Sequence, residues 1–577
     1  MKEPLEELFR CAVAGLLEEK GDAGEPPAFA LEISRSPEHG DFACNAALVL
    51  AKRLRQPPRA IAERLAADVQ GGSDWVERVE IAGPGFVNVW LRDSRWHDLL
   101  VRILEEGLHY GTSKVGAGQS VQVEFVSANP TGPLTLGHGR QGVLGDCIAR
   151  LLEATGYDVT REYYFNNGGR QMRILGESVK ARYLEQLGRA AAPPREAFAA
   201  PDSVWPLEID GLPVVFPRDG YQGDYISEIA DSLRQKHGEG LADEPGDGVF
   251  RKTTEERIFS EIRETLTRLR IEFDVYSNET TLYEEGRVEA VLRDLRAKGC
   301  VYEKDGAVWL RSIDLGLDRD RVLVRKTGEP TYLLPDIAYH RQKFERGFDA
   351  VIDVQGADHI EQFPFVVAAV RALGYEADRV ELVMHQFVTL TESGRQVKQS
   401  TRRATFVTVD ELMTRVGVDV FRFFMVQRRA EGHLDFDLDL ATETDWKKNP
   451  AFYVQYAHAR TCGIERKALE QGVSLPDAKS VGASALVLRE EIEILKKVAE
   501  FPEVIARAGA TREPHHVSYY LRDLAGLWNP YLQDGTHHRV VSDDAELSRA
   551  RLGLARAVRT VLASGLALLG VSAPEQM

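Results

Sequence analysis

Cysteine is scarce. Five residues in 577, at positions 11, 44, 147, 300 and 462, lie far apart, with no CxxC and no histidine at ligand spacing. That usage disfavours both a disulfide framework and structural zinc, and fits a reducing cytoplasm. Long apolar runs are also missing. No segment approaches ~18 uninterrupted apolar residues, so no membrane span is expected. The start, MKEPLEELFRCAVAGLLEEKGD, is acidic and amphipathic, unlike the basic and then apolar pattern of a signal peptide. Positive charge is in deficit as well: 72 Lys and Arg face 89 Asp and Glu, a net of −17. This argues against a generic nucleic-acid binder, because phosphate contacts need cations. The deficit is uneven. Residues 446–577 hold 17 Lys and Arg against 15 Asp and Glu, a net of +2, which leaves −19 for residues 1–445.

What is present is ordinary for a soluble protein: 44% hydrophobic and 28% charged residues, in a chain too long for one core. Residues 1–112 read as an α+β module. An amphipathic helix comes first, then AFALEIS as a strand, GDFACNAALVLAKRL as a turn entering a helix, and VERVEIAGPGFVNVWL as a hairpin. Residues 113–445 alternate strand and helix from VQVEFV onward, the start of a doubly wound parallel sheet. RVLVRKTGEPTYLLPDIAYHRQKF, DAVIDVQGADHIEQF and ELVMHQFVTL each place a strand before polar residues, as the ligand-facing edge of such a sheet requires. Ala/Pro-rich and Gly/Asp-rich pieces across 187–250 break the rhythm and read as an insertion. Residues 446–577 are helical throughout and read as an all-α bundle.

Two constellations carry chemistry. In NPTGPLTLGHGRQG (129–142) a strand breaks into a Gly/Pro turn and restarts as a helix, the place where backbone N–H groups and the helix dipole receive phosphate. Gly137 and Gly139 would let a ligand approach, and Arg140 would add charge. His138 either donates to phosphate oxygens or simply caps the helix. The second is QVKQSTRRATFVTVDEL (396–412), in which Lys398, Ser400, Thr401, Arg402 and Arg403 make a basic-hydroxyl loop. It can fold over a polyphosphate or form a solvated turn. About 260 residues separate the two, so only a fold could unite them.

Together with EFVSANPTGPLTLGHGR, REYYFNNGGRQM, TYLLPDIAYH, NPAFYVQYAHAR and the terminal LLGVSAPEQM, these segments resemble the class I aminoacyl-tRNA synthetases, and within them the arginyl-tRNA synthetases, over nearly the whole chain. The class carries a HIGH signature and a KMSKS signature that grip ATP phosphates. Here TLGH stands for HIGH, with Thr135 at the first histidine. KQSTR stands for KMSKS, with Thr401 at the second lysine, and YFNNGG replaces a more usual Asn-Asp-Ala-Gly.

The resemblance implies an arginine–tRNA ligase acting on L-arginine, ATP with Mg²⁺ and the tRNA for arginine, as a cytoplasmic monomer without prosthetic group or protein metal site. Thr135, His138, Lys398, Ser400 and Arg402 would serve catalysis. Glu124, Ser127, Asn129, Tyr332 and Asp336 would hold arginine. Tyr332 and Asp336 sit four apart on one helical face, and a carboxylate suits a guanidinium fork, although an Asp there could equally be a helix cap. Glu124 suits either the guanidinium or the α-ammonium. Gly137, Gly356, Asp358, His359, His385, Gln386, Phe387 and Val388 would border ATP. Tyr453, Gln455, Tyr456, Arg460, Trp528 and Asn529 would either meet tRNA bases or fill the helical core. The N-terminal module is implied to contact the tRNA elbow. A catalytically decayed tRNA-binding paralogue and a ligase of the same fold with a non-tRNA acceptor are the competing readings.

Overall fold

The computed structural model describes residues 2–22, 24–34, 37–199, 204–357, 360–397, 407–535 and 537–577. The alternation in VERVEI and FVNVWL becomes an antiparallel pair, Val76–Ala82 with Phe86–Leu91. Phe42–Cys44 and Leu31–Ile33 extend it to four strands, packed with helices Lys2–Glu19, Ala46–Leu54 and Pro58–Gly71. GDFAC therefore contains a strand as well as the expected turn, one too short for alternation to reveal. Beside it, the buried Asp41 accepts the Leu91 amide at 2.7 Å and the Lys496 ammonium at 2.8 Å. That second contact ties the module to the C-terminal helix Arg489–Ala499.

The central sheet has five parallel strands in the order Val380–His385, Ala350–Gly356, Ser120–Glu124, Asp158–Phe165, Val275–Asn278. Strand order reverses between Ser120–Glu124 and Ala350–Gly356, and a ligand cleft forms outside the carboxyl ends at such a switch point. RVLV does not join this sheet. Arg321–Val324 pairs antiparallel in a separate sheet with Ala307–Leu310 and Val301–Lys304, because a short apolar run carries no record of its partner. ELVMHQFVTL divides in two. Val380–His385 closes the parallel sheet, and Val388–Glu392 pairs with Arg395–Gln396 and Leu434–Asp437.

The C-terminal region is a bundle built on helices Pro450–Glu470, Arg489–Ala499, Phe501–Thr511, His515–Gln533 and Ala545–Leu568. Its tail returns to the sheet domain. The fully buried Arg422 donates to Leu569 O at 2.9 Å, to Leu269 O at 2.7 Å and to Asp146 Oδ2 at 2.5 Å. Among the described residues no helix is long and apolar enough to cross a membrane. Without Arg422, Asp146 would keep Arg150 at 2.8 Å but the carbonyls of Leu269 and Leu569 would lose their donor; breaking a buried pair costs about 3–5 kcal/mol. Arg422→Met should therefore shift the urea unfolding transition by a destabilisation of that size. A transition like the parent's would mean that Asp146 is compensated by other groups.

Candidate functional site

The segment 125–135 leaves the first parallel strand under strain. Val126 and Ser127 both have positive φ, 67° and 40°, which costs a side-chain-bearing residue energy and persists where neighbours enforce it. The enforcement is visible: the Ser127 hydroxyl donates to Glu124 Oε1 at 2.8 Å and accepts the Tyr164 amide at 3.1 Å. Thr135 then caps helix Leu136–Ala154. Its amide donates to His138 Nδ1 at 3.2 Å, which leaves the neutral ring's proton on Nε2. Capping and donation thus use opposite nitrogens of one histidine, so the two readings of His138 are compatible. Gly137 is open, with only Thr135 Oγ1 within 3.8 Å of a Cβ placed there, whereas a Cβ on Gly139 would meet Phe421 at 2.7 Å. Gly139 is a packing glycine rather than a ligand-facing one. Arg140 is corrected too. It is fully buried, burial brings its pKa down to about 10, and its fork holds the carbonyls of Gln386, Arg429 and Gly432 at 2.7–3.0 Å.

These elements border a cleft of about 940 Å³ that gathers most of the residues singled out in the sequence. Glu124, Ser127, Asn129, Thr135, Gly137, His138, Tyr332, Asp336, Gly356, His385, Phe387 and Val388 all line it. Gln386 does not; its backbone bonds Arg140 and Ala430 instead. Asp358, His359, Lys398, Ser400 and Arg402 lie outside the described residues. The chain on either side of the 398–406 loop is described, however. Arg395–Gln396 pairs with Val388–Glu392, and Thr408 bridges Thr135 while the Val409 amide donates to Leu134 O at 2.9 Å. The described chain on either side of residues 398–406 is therefore held beside the cleft.

Acids concentrate at the other end. Gln362 donates to Asp336, and Asn129 donates to Gln171 Oε1 at 2.7 Å. Lys343 is fully buried: it meets Glu124 at 2.5 Å and Asp353 at 2.6 Å, and His340 reaches Asp353 at 2.8 Å. Burial alone would lower the pKa of Lys343; the carboxylates of Asp353 and Glu124 reverse this and leave it raised. Glu279, at the start of helix Glu279–Glu284, is 3% exposed, and burial and then the Asp336 charge push its pKa up to about 7. The sequence reading missed Glu279, Gln362 and Lys343. They belong to no motif, and only the tertiary fold brings them to Asp336 and Glu124.

The expected tRNA residues divide. Trp528 is fully buried with its indole N–H on Thr461 Oγ1 at 2.8 Å, and Asn529 is 1% exposed and donates to Tyr453 O. Gln455 is buried on Asp419 and Ser572, and the Arg460 fork holds the carbonyls of Asn529 and Leu532. These four hold helices together; Gln455, Trp528 and Asn529 are buried, while Arg460 is partly exposed beside the Tyr456 ring. Tyr453 and Tyr456 remain half-buried, stacked on Trp446 at centroid distances of 5.9 and 3.9 Å. Tyr453 also borders a basic hollow of about 610 Å³ with Lys447, Lys448, Tyr519 and Arg522. Among the described residues one group could ligate a metal, Glu513 with His515 and His516, in the bundle rather than the cleft.

Comparison with known proteins agrees with this geometry. Three family profiles match: the arginyl tRNA synthetase N terminal domain over residues 3–91, the class I (R) tRNA synthetase catalytic domain over 100–192 and 229–419, and the DALR anticodon binding domain over 454–577. The chain is 48% identical to the arginine–tRNA ligase of Desulfotalea psychrophila over 95% of both chains. It is 46% identical to that of Salinibacter ruber over 99% of this chain and 100% of the other. The fold matches Thermus thermophilus arginyl-tRNA synthetase with a TM-score of 0.73 at 24% identity, covering 100% of both chains. The switch-point cleft with its acidic end agrees with these relatives, and by their likeness over nearly its whole length the chain belongs to the arginine–tRNA ligase family.

Proposed function

We propose that the protein activates L-arginine with ATP and transfers it to the 3′-terminal adenosine of its tRNA. The arginine carboxylate attacks the α-phosphorus of MgATP, the bond to pyrophosphate breaks, and arginyl-adenylate forms. The terminal-adenosine hydroxyl then takes the arginyl group and AMP leaves. One observation carries this reading. The segment that closes the KQSTRR loop is hydrogen-bonded to the start of the LGH helix, at the edge of a cleft whose other end is acidic. The acidic end suits the guanidinium, and Lys398, Arg402 and Arg403, which precede that segment in the sequence, would supply cations for the polyphosphate.

On this reading His138, Thr135 and Gly137 receive the phosphates together with Lys398, Ser400 and Arg402. His385, Phe387, Val388 and Gly356 border the nucleoside, and Asp358 and His359 belong to the same edge. Asp336, ordered by Gln362 and Tyr332, meets the guanidinium with Glu279, while Glu124, Ser127 and Asn129 hold the α-amino end. Residues 1–112, 113–445 and 446–577 act as elbow-contacting, catalytic and anticodon-binding units, in a cytoplasmic monomer. For the tRNA we replace Gln455, Arg460, Trp528 and Asn529 with the exposed hollow of Lys447, Lys448, Tyr453, Tyr519 and Arg522, whose aromatic and cationic lining suits stacked bases and phosphates.

The test is arginine-dependent pyrophosphate–ATP exchange and arginine charging, each with and without tRNA. Folded protein that charges no arginine tRNA would overturn the reading in favour of a decayed paralogue. Lys398→Ala should slow activation by at least ~10²-fold, the scale of a lost transition-state contact; an unchanged rate would remove the loop from the phosphate clamp. A second prediction follows from Glu279. Its folded pKa of about 7 lies above the ordinary 4.5, so between those values the fold holds a proton that the unfolded chain releases, and its ionisation lowers stability as pH rises. A guanidinium favours the anion. Arginine should therefore bind more tightly as pH rises from about 6 to 8, and Glu279→Gln should flatten that rise and weaken binding at pH 8 by about 10-fold, the scale of one charge-assisted contact. A profile unchanged by the substitution would take Glu279 out of the guanidinium site.

A further inference from the structure

The turn 129–135 has few means of holding itself. Pro130 and Pro133 lack N–H groups, and no regular secondary structure spans it. Its one internal backbone bond runs from the Thr131 amide to Asn129 O at 2.7 Å. Restraint arrives at its carbonyls from three distant parts of the chain. Tyr163 donates to Ala128 O just before the turn at 2.9 Å, and the Val409 amide donates to Leu134 O at 2.9 Å. The third donor is the Tyr225 hydroxyl, which bonds Thr131 O.

Tyr225 comes from the segment that interrupts the strand–helix rhythm, in the first turn of helix Asp224–His237. Two glycines leave room for it. A Cβ at Gly223 would fall 2.1 Å from its ring, and one at Gly132, inside the turn, would fall 3.1 Å from its hydroxyl. Burial raises the pKa of this phenol, so it remains a donor throughout the neutral range. Tyr221 adds a second tie to the neighbouring helix: its amide donates to Ser178 Oγ at 3.1 Å. Ser178 lies on helix Gly169–Gln186, which also carries Gln171, the partner of Asn129. Asp219 meets Arg170 of the same helix at 2.5 Å. Helix, interrupting segment and turn thus close a circuit around Asn129.

We propose that Tyr225 is a positioning residue for the activation step, acting through its hydroxyl on Thr131 O to hold Asn129 on one side of the turn and Thr135 on the other in their working geometry. The segment 187–250 then serves the site directly rather than decorating the domain. This rests on the substrate roles proposed above for Asn129 and Thr135.

Tyr225→Phe keeps the ring and removes only the donor. In the full-length protein it should reduce kcat for pyrophosphate exchange by about 10-fold, with a melting temperature within about 2 °C of the parent, on the scale of one unpaired buried carbonyl. In an Asn129→Ala background the same change should cost clearly less than 10-fold, because part of its effect passes through Asn129. Parental kinetics in Tyr225→Phe, or an equal 10-fold loss in both backgrounds, would overturn the proposal. Amide hydrogen exchange separates this proposal from the substrate reading. Thr131 and Gly132 should exchange about 10-fold faster in ligand-free Tyr225→Phe, whatever the protein activates. Unchanged exchange would overturn the clamp even if arginine activation is confirmed, whereas faster exchange in a protein that activates no arginine would leave the clamp standing and sink the substrate roles alone.

Discussion

The Lys343 ammonium, closed off from water, joins the two strands that flank the switch point. Glu124 ends one strand, Asp353 sits within the other, and Lys343 reaches both from the helix Leu333–Glu345 that also carries Asp336. Two carboxylates at this depth would repel each other; one cation between them offsets that repulsion. Asp353 is accordingly held well below the usual carboxylate range: its burial would raise it, and Lys343 and His340 more than offset that. The spacing of strands and helix, and with it the distance from Asp336 to the turn 129–135, depends on this contact.

Around that anchor the acids divide by environment. Glu124 and Asp353 are neutralised inside the protein. Asp336 accepts from Gln362, and Glu279, with no cation beside it among the described residues, has its pKa pushed up to about 7 by burial and then by the Asp336 charge. On the proposed reading, the arginine side chain brings its cation to both. A neutral side chain of similar size would bring Glu279 no cation, so on that reading selectivity follows from electrostatics.

Much of this was legible in the sequence because the informative residues were contiguous. The strand, the Gly/Pro turn and LGH fall within a short stretch, and Tyr332 and Asp336 share one helical turn. What was not legible depends on long-range pairing. Lys343 is an ordinary lysine in a helical stretch until Glu124 and Asp353 are brought to it. RVLV could have joined either sheet, since its composition is the same in both. Trp528 and Asn529 show a different failure, because the signal was available. Val517, Leu521, Leu524, Ala525 and Trp528 recur at helical spacing, and that phase puts Trp528 on the buried face, where the structure has it. Tyr221 and Tyr225 had a weaker signal in GYQGDY, two tyrosines flanking the glycine that makes room for one of them.

If the buried ammonium organises the arginine end, its loss should be felt there and not at the nucleotide end. Calorimetric binding of arginine and of a non-hydrolysable ATP analogue to Lys343→Met, with Lys343→Arg as the charge-retaining control, measures this directly. The account predicts at least a 10-fold loss of arginine affinity in Lys343→Met, a smaller loss in Lys343→Arg, and nucleotide affinity within about 2-fold of the parent in both, given about 3–5 kcal/mol for breaking a buried pair. Arginine affinity equal to the parent's in folded Lys343→Met would contradict it.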